Sequence, residues 1–492
     1  MSFLKFTLVV IPAKAGIQNQ SKRLDSRLIL LDAFAHGNDT KRKLWHLWAN
    51  TNYRFNAFVA APFRVRWSAF LESLHSPGGL NIMAIRVPQH IWYGNTEMEL
   101  KFPPSWRVSY CAMKGGERKK LTPQEIEKAF SHPIGTGPVS ELAKGKKEVT
   151  ILFDDLARPT PVSQIVPFVL RELEKAGIRD QQVRFIAALG AHGAHTANDF
   201  RKKLGEEVLD RFPVYNHHPF DFCTYLGKTS RGTPVSINKE VMACDLKIGI
   251  GSIVPHPFSG FGGGGKIILP GVAHIDSIAY NHGPLVKDHP GSVGLGKIEG
   301  NVPRLDIEEA ARMAGLDIKI DSLVNLRGQI TGLFVGDPVL EHREGVKLAK
   351  EVYATTPAKG MDVAVINTYA KPNECAIAPF LGIPSLKEEG GDLVIIANEP
   401  AGQVVHYLFS EFGRCGEGRL RLPRLLPTKV KRFIILSPFK DHAGACYFGD
   451  VSSIRWGKTW EEVLELLEAQ WGDKANVAVY PDGTIQYFGE EG

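Results

Sequence analysis

Three histidines, one lysine and an aspartate–arginine pair have the types and spacing that could carry chemistry in this chain. His192, His256 and His282 bear imidazoles that titrate near neutrality. Two of them on opposite faces of a substrate could take a proton and return it, and the third could bind a transition metal through neutral nitrogen. Their spacings match no zinc signature, so a metal here would need further ligands from a cofactor. Lys266 leaves a run of four glycines, in the order G-F-G-G-G-G-K from Gly260. Such a run is costly to order and is kept where backbone must approach something closely or adopt positive φ. Gly260 to Lys266 fits G-x-x-x-x-G-K, a cradle whose N–H groups hold phosphates, but Ile267 stands where a nucleotide hydrolase needs Ser or Thr for Mg²⁺. The stretch is a near-miss for nucleotide hydrolysis and a candidate for holding some phosphorylated group. Asp155 and Arg158 lie three apart on a turn. Exposed, they would be a weak loop ion pair. Buried, the arginine could clamp a phosphate and the aspartate accept ribose hydroxyls. His195 and His289 read as solvated, and His217 and His218 as loop residues without a role.

The elements that position these groups follow from pattern. Apolar, β-branched runs over 148–153, 183–189 and 244–251 read as strands, each ending at one of the chemical segments. Helical spacing fills 162–176 between the first two, and another helix begins near Asn198. This alternation implies parallel strands with right-handed crossovers, whose ligands gather at the strands' carboxyl ends. Residues 97–102 alternate as a strand, Thr122 and Glu125 flank Pro123 as a helix-capping box, and 272–281 can form a helix that carries His282 near its end. A helix over 306–314 precedes a β-hairpin around Arg327 and Gly328, and a helix over 338–352 opens a second alternating series. The fold class is therefore α/β: two α/β domains with mostly parallel sheets. The expected bounds are 83–340 for the first domain and 345–470 for the second, with the option that a strand within 475–492 returns to the first.

Composition sets outer limits. The chain has 492 residues, 43% of them hydrophobic, enough for two or three cores. A net charge of +6 without a dense basic stripe argues for neither nucleic acid nor membrane partners. Six scattered cysteines without a C-x-x-C pair suit a reducing cytoplasm. Residues 1–82 lack a clean period, and 10–19 look like a translated interspersed repeat. The expectation is a natural start at Met83, with 1–82 as a non-native or disordered extension.

Four motifs, DDLARPTP (154–161), LGAHGAHT (189–196), PHPFSGFGGGGKIILPG (255–271) and NH (281–282), resemble those of the nickel-pincer-dependent lactate racemase family over roughly 83–490. The resemblance implies an active site in the cleft between the two domains and a pyridinium-3,5-bisthiocarboxylic acid mononucleotide joined to Lys266, with Gly263, Gly264 and Gly265 letting it lie close to the backbone. It implies nickel held by the cofactor and by His282, a nucleotide held by Asp155 and Arg158, and His192 and His256 as paired acid–base groups. A hydride accepted by the nickel–carbon centre would avoid a carbanion beside a carboxylate. Cofactor-synthesis proteins and a small 2-hydroxy acid are the implied partners. This chain departs from the family pattern at Ala157, at Gly193 and Ala194, and in the segment 368–379. There the substrate-binding Gln of lactate-type members is missing and Lys371, Asn373 and Glu374 cluster, with Lys371 as the group that would take the carboxylate. These departures favour another 2-hydroxy acid, or epimerisation of a larger one, over lactate. Two alternatives stay open: a phosphotransferase using the Gly260–Lys266 loop, and a non-catalytic binder of the pincer nucleotide.

Overall fold

The computed structural model describes residues 83–409, 420, 426–448 and 451–489. Residues 1–82, and with them the expectation of an upstream extension, lie outside the described residues. The chain enters through an antiparallel hairpin, β1 (Met83–Gln89) and β2 (Thr96–Phe102), followed by a short strand β3 (Arg107–Tyr110). Helix α1 (Pro123–Ser131) starts as its sequence predicts: the Thr122 hydroxyl accepts the Glu125 N–H and the Glu125 carboxylate accepts the Thr122 N–H.

Strands buried on both faces must be apolar throughout rather than alternating, and that is what these runs supply. β4 (Val149–Asp154), β5 (Val183–Ala188), β6 (Val214–Asn216), β7 (Leu246–Ser252), β8 (Ile318–Val324) and β9 (Ile330–Gly336) form one sheet in the order β9-β8-β7-β4-β5-β6. All neighbours are parallel except the hairpin β8–β9. Helix α2 (Val162–Lys175) crosses from β4 to β5 and buries Ile165, Val166, Val169 and Leu173 against it. The second sheet is parallel throughout: β10 (Val363–Asn367), β11 (Gly391–Ile396), β12 (Val430–Leu436), β13 (Ile454–Gly457) and β14 (Asn476–Tyr480), with β3, in the order β13-β12-β11-β10-β14-β3.

Two expected boundaries are corrected here. β3 lies in the second sheet although it precedes β4, because it is the edge strand that pairs with β14. The β1–β2 hairpin joins it by packing Ile85, Val87, Leu100 and Phe102 into the core that holds Val365, Ile434 and Trp460. Within 475–492 the chain does two things: Val477 to Tyr480 are all buried in β14 between β10 and β3 of the second sheet, whereas Tyr487–Phe488 pair with Ala354–Thr355, and Ile485 and Tyr487 pack with Ile253, Phe261 and Leu323 from the first expected domain. No helix among the described residues is long and apolar enough to cross a membrane.

Both sheets reverse their winding once. From β4 the chain proceeds to β5 and β6 on one side, then returns to place β7 and β8 on the other. From β10 it proceeds to β11, β12 and β13, then places β14 on the other side. Loops that leave neighbouring strands in opposite directions open a crevice at their carboxyl ends. The candidate residues lie in the segments after β4, β5 and β7 and in the segment after β10.

Two histidines away from that crevice are buried to satisfy backbone. His217 donates from Nε2 to Ala273 O at 2.9 Å, and His342 places Nε2 2.8 Å from Gly262 O. Burial pushes His217 down to about 4 and His342 down to about 3. Both stay neutral in the fold while an unfolded histidine takes up a proton below about 6.5. Their contribution is complete above that pH and is lost as pH falls toward the folded values. The melting temperature is therefore expected to drop between about pH 7 and about pH 5, and to drop less in His217→Asn. A melting temperature constant over that interval in thermal denaturation would contradict this.

Candidate active site

The turn after β4 is held from three directions. Lys203, fully buried on helix α3 (Ala197–Leu204), donates from Nζ to the carbonyls of Asp155 and Arg158 at 2.8 Å each and lies 2.8 Å from Asp154 Oδ1. Trp92 Nε1 donates to Leu156 O at 2.9 Å, and His195 Nε2 accepts the Leu156 N–H at 3.1 Å. His195 is thus half-buried structure, not the solvated residue its sequence suggests. Thr160 donates to Asp154.

This turn places the Asp155 carboxylate 2.5 Å from His192 Nδ1, and its other oxygen accepts the Ala157 N–H at 3.1 Å. Burial alone would raise the Asp155 pKa. His192 and Arg158 outweigh it and hold the carboxyl well below the usual range. With Nδ1 committed to Asp155, the ring presents Nε2 to the cavity as a proton acceptor. Asp155 was expected to bind ribose hydroxyls; its oxygens are instead engaged by His192 and the turn.

Arg158 donates from Nη1 to Ala157 O at 2.6 Å and to Glu374 Oε2 at 2.8 Å. Glu374 stands on the loop after β10, so this contact links the ends of the two sheets. Lys371 Nζ lies 3.1 Å from the same Glu374 oxygen, and Glu374 Oε1 lies 3.8 Å from His192 Nε2. Burial would raise the Glu374 pKa, but Arg158 and Lys371 bring it down to about 2. Burial lowers Lys371 to about 8 against the pull of Glu374. Lys371 is fully buried behind Glu374 and does not line the cavity, which corrects its expected place on a substrate carboxylate. Asn373 does line it, and its Oδ1 has no hydrogen-bond partner among the described residues.

After β7 a two-residue antiparallel ribbon pairs Pro255 with Phe261 and His256 with Gly260. It turns His256 so that Nδ1 accepts the N–H groups of Phe258 and Ser259 at 3.2 and 3.4 Å. Nε2 then faces Lys266 Nζ at 3.4 Å. Burial, with Arg304 and Arg158 next in weight, pushes the Lys266 amine well below its ordinary value, and burial with Lys266 does the same to His256. The lysine faces an imidazole and holds its proton less tightly than an exposed ammonium, which favours the free amine of a nucleophile.

The glycine run is not a phosphate cradle. The Gly264 N–H donates to Asp321 Oδ2 at 2.6 Å, so a carboxylate of the protein takes the place an anion would occupy. Gly263 lines the cavity, with φ 77°, but Gly264 and Gly265 do not. A Cβ on Gly265 would stand 2.8 Å from Ala311 Cβ and one on Gly264 3.0 Å from His342 Cγ. These two glycines let the turn press against neighbouring helices, which corrects their expected contact with a cofactor.

Helix α4 (Ile275–His282) ends in His282, which is buried against the edge of the Phe258 ring at 5.4 Å. Burial, then Lys266, lowers its pKa to about 3, and its Nδ1 has no hydrogen-bond partner among the described residues. Among the described residues no three His, Cys, Asp or Glu side chains form a metal cage. Asp155, Arg158, His192, His256, Gly263, Lys266, His282, Asn373 and Glu374 therefore share one cavity. Sequence reading missed His406, which lines the cavity with its ring 5.2 Å from that of His192. Its strand-like segment pairs with the His192 loop through Tyr407 N–H to Ala191 O and Gly193 N–H to Val405 O. A solitary histidine in an apolar stretch carries no signal of that pairing.

Residues 93–293 match the model of the lactate racemase N-terminal domain. The lactate racemase of Lactiplantibacillus plantarum is 28% identical over 386 residues, covering 74% of this chain and 90% of that protein. The lactate racemase of Thermoanaerobacterium thermosaccharolyticum is 29% identical over 317 residues, covering 63% and 74%. The solved structure of the lactate racemase apoprotein from the latter organism superposes with a TM-score of 0.63 at 23% identity, over 83% of this chain and 100% of that one. A Thermotoga maritima protein of known structure gives 0.53 at 17% identity, over 75% and 99%. Taken with the motifs gathered in one cavity, these likenesses support the lactate racemase family as the one this chain is similar to.

Proposed function

We propose that this protein is a racemase or epimerase of a 2-hydroxy acid that works with a nickel-pincer nucleotide tethered to Lys266. Kinship with proteins named lactate racemase supports racemisation as the reaction class and makes lactate the first substrate to test. The observation that carries the cofactor is that one cavity holds a buried amine facing an imidazole and a buried imidazole nitrogen, His282 Nδ1, without a partner among the described residues. Lys266 would hold the cofactor covalently, and His282 would give a nitrogen to nickel, whose other ligands the cofactor brings. When bound, the nickel-pincer nucleotide supplies an acceptor for the substrate's α-hydrogen as hydride.

The chain's own residues handle protons and orientation. His192, with Nδ1 tied to Asp155, takes the substrate hydroxyl proton on Nε2, and Asp155 stabilises the resulting imidazolium. His256 is in the opposite tautomer: backbone N–H groups fill Nδ1, so its neutral ring carries hydrogen on Nε2. His192 is thus set as base; for His256 to return a proton or to serve the opposite enantiomer it must first become an imidazolium, with Nδ1 turned from acceptor to donor. Glu374 already balances Arg158 and Lys371, which leaves Asn373 Oδ1 and the cavity wall to choose the substrate. That arrangement favours a 2-hydroxy acid other than lactate, with a hydrogen-bond donor for Asn373.

A phosphotransferase is disfavoured because Asp321 occupies the Gly264 N–H. A mere carrier of the nucleotide has no use for the Asp155–His192 pair. We propose the cytoplasm as its location and the cofactor-synthesis proteins as its partners.

Expression together with the cofactor-synthesis proteins should yield a covalent adduct on Lys266 by intact mass and about one nickel per chain by metal analysis. Lys266→Ala should lose the adduct, and an adduct surviving in that variant would remove the central assignment. His192→Ala and Asp155→Asn should keep adduct and nickel while racemisation falls by about 10²-fold to 10⁴-fold. The assay is chiral chromatography over a panel containing lactate and larger 2-hydroxy acids; undiminished turnover in His192→Ala would refute its role as base.

A further inference from the structure

Five carbonyls of the lysine loop turn to one helix. Arg304 stands in the first turn of helix α5 (Val302–Ala314), 1% exposed. Its guanidinium donates to Gly263 O at 3.0 Å, Gly262 O at 3.3 Å and Ser259 O at 3.5 Å, and also to Phe261 O. The helix N-cap, Asn301, donates from Nδ2 to Phe258 O at 3.0 Å. Five carbonyls between 258 and 263 are therefore collected by two side chains of one helical turn. The Lys266 N–H shares the Gly263 carbonyl with Arg304 at 3.3 Å, so the guanidinium sets the peptide that starts the lysine's turn. Asp321 fixes the next N–H, that of Gly264. Burial lowers the Arg304 guanidinium to about 10, so it still carries its charge next to the loop at neutral pH.

We propose that Arg304 is the positioning residue of the Lys266 tether, holding the loop's carbonyls away from the cavity and a permanent positive charge behind the amine, so that Lys266 meets an acyl group as a nucleophile. This rests on Lys266 being an attachment point. The lowered Lys266 value, to which Arg304 contributes next after burial, agrees with it.

The test uses the full chain without cofactor and acetic anhydride as probe. The lysine lone pair forms a C–N bond to the acyl carbon, the C–O bond breaks, and acetate leaves with the ammonium proton. Peptide mass spectrometry compares the rate at Lys266 with that at the exposed Lys119 and Lys120. Arg304→Gln, which keeps donors but loses the charge, should slow Lys266 relative to the references by about tenfold or more, while Arg304→Lys restores it to within about threefold of the wild type. Melting temperatures confirm that the variants are folded. An Arg304→Gln rate within about twofold of wild type, or an Arg304→Lys rate as slow as Arg304→Gln, would overturn the proposal. If Arg304→Gln does not fold, Asn301→Ser, which keeps the cap but releases Phe258 O, should slow Lys266 by about threefold, and no change would overturn the proposal. A wild-type Lys266 no faster than the surface lysines would instead remove the attachment reading itself.

Discussion

The 2.5 Å hydrogen bond from His192 Nδ1 to Asp155 Oδ2 joins the loops of adjacent parallel strands, and much of the surrounding structure serves to keep it. Asp155 follows β4 and His192 follows β5, so the sheet brings the two loops together while leaving their backbone without sheet partners. Lys203, Trp92 and His195 supply those partners for the Asp155 turn. The 403–409 segment supplies them for the His192 loop. A short bond between a carboxylate and an imidazole survives only where such a frame over-determines both groups.

Burial of charge is the second constraint. The cavity and its floor hold Arg158, Lys203, Lys266, Arg304, Lys319 and Lys371, all half-buried or buried. A charge taken from water must be paired, hydrogen-bonded or neutralised. The structure uses each solution in turn. Glu374 answers Arg158 and Lys371, Asp154 answers Lys203, and Asp321 answers Lys319. Arg304 is answered by carbonyl oxygens, and burial loosens the hold of Lys266 on its proton. The lysine is thus set apart from the other cations: its amine faces the His256 ring, where Arg158, Lys203, Lys319 and Lys371 face carboxylates.

Much of the frame was legible in the chain. The three β-branched runs, the capping box at Thr122 and the hairpin around Arg327 and Gly328 are local patterns, set by side-chain shape and backbone hydrogen bonding within a few residues. The histidines, Lys266 and the Asp155–Arg158 turn stood out because they follow those strands. Less legible was anything that depends on which strands become neighbours. β3 is four residues long and mostly exposed, so nothing in its composition places it beside β14 at the far end of the chain. Lys371, Asn373 and Glu374 form one polar cluster in sequence, yet folding buries the lysine and leaves the asparagine on the cavity wall.

By itself the sequence determined the α/β class, the strand ends that carry chemistry, and the presence of a lysine, three imidazoles and an acid in the motifs. These depend on spacing and on side-chain type, which the chain states directly. Tertiary structure decided what each group is for. Asp155 orients a histidine because β5 lies next to β4. Gly264 and Gly265 serve packing because helices cover them. Lys266 holds its proton less tightly because it is buried, with Arg304 and Arg158 next in effect. Protonation state and hydrogen-bond direction are set by neighbours far away in sequence, and only the closed fold supplies those neighbours.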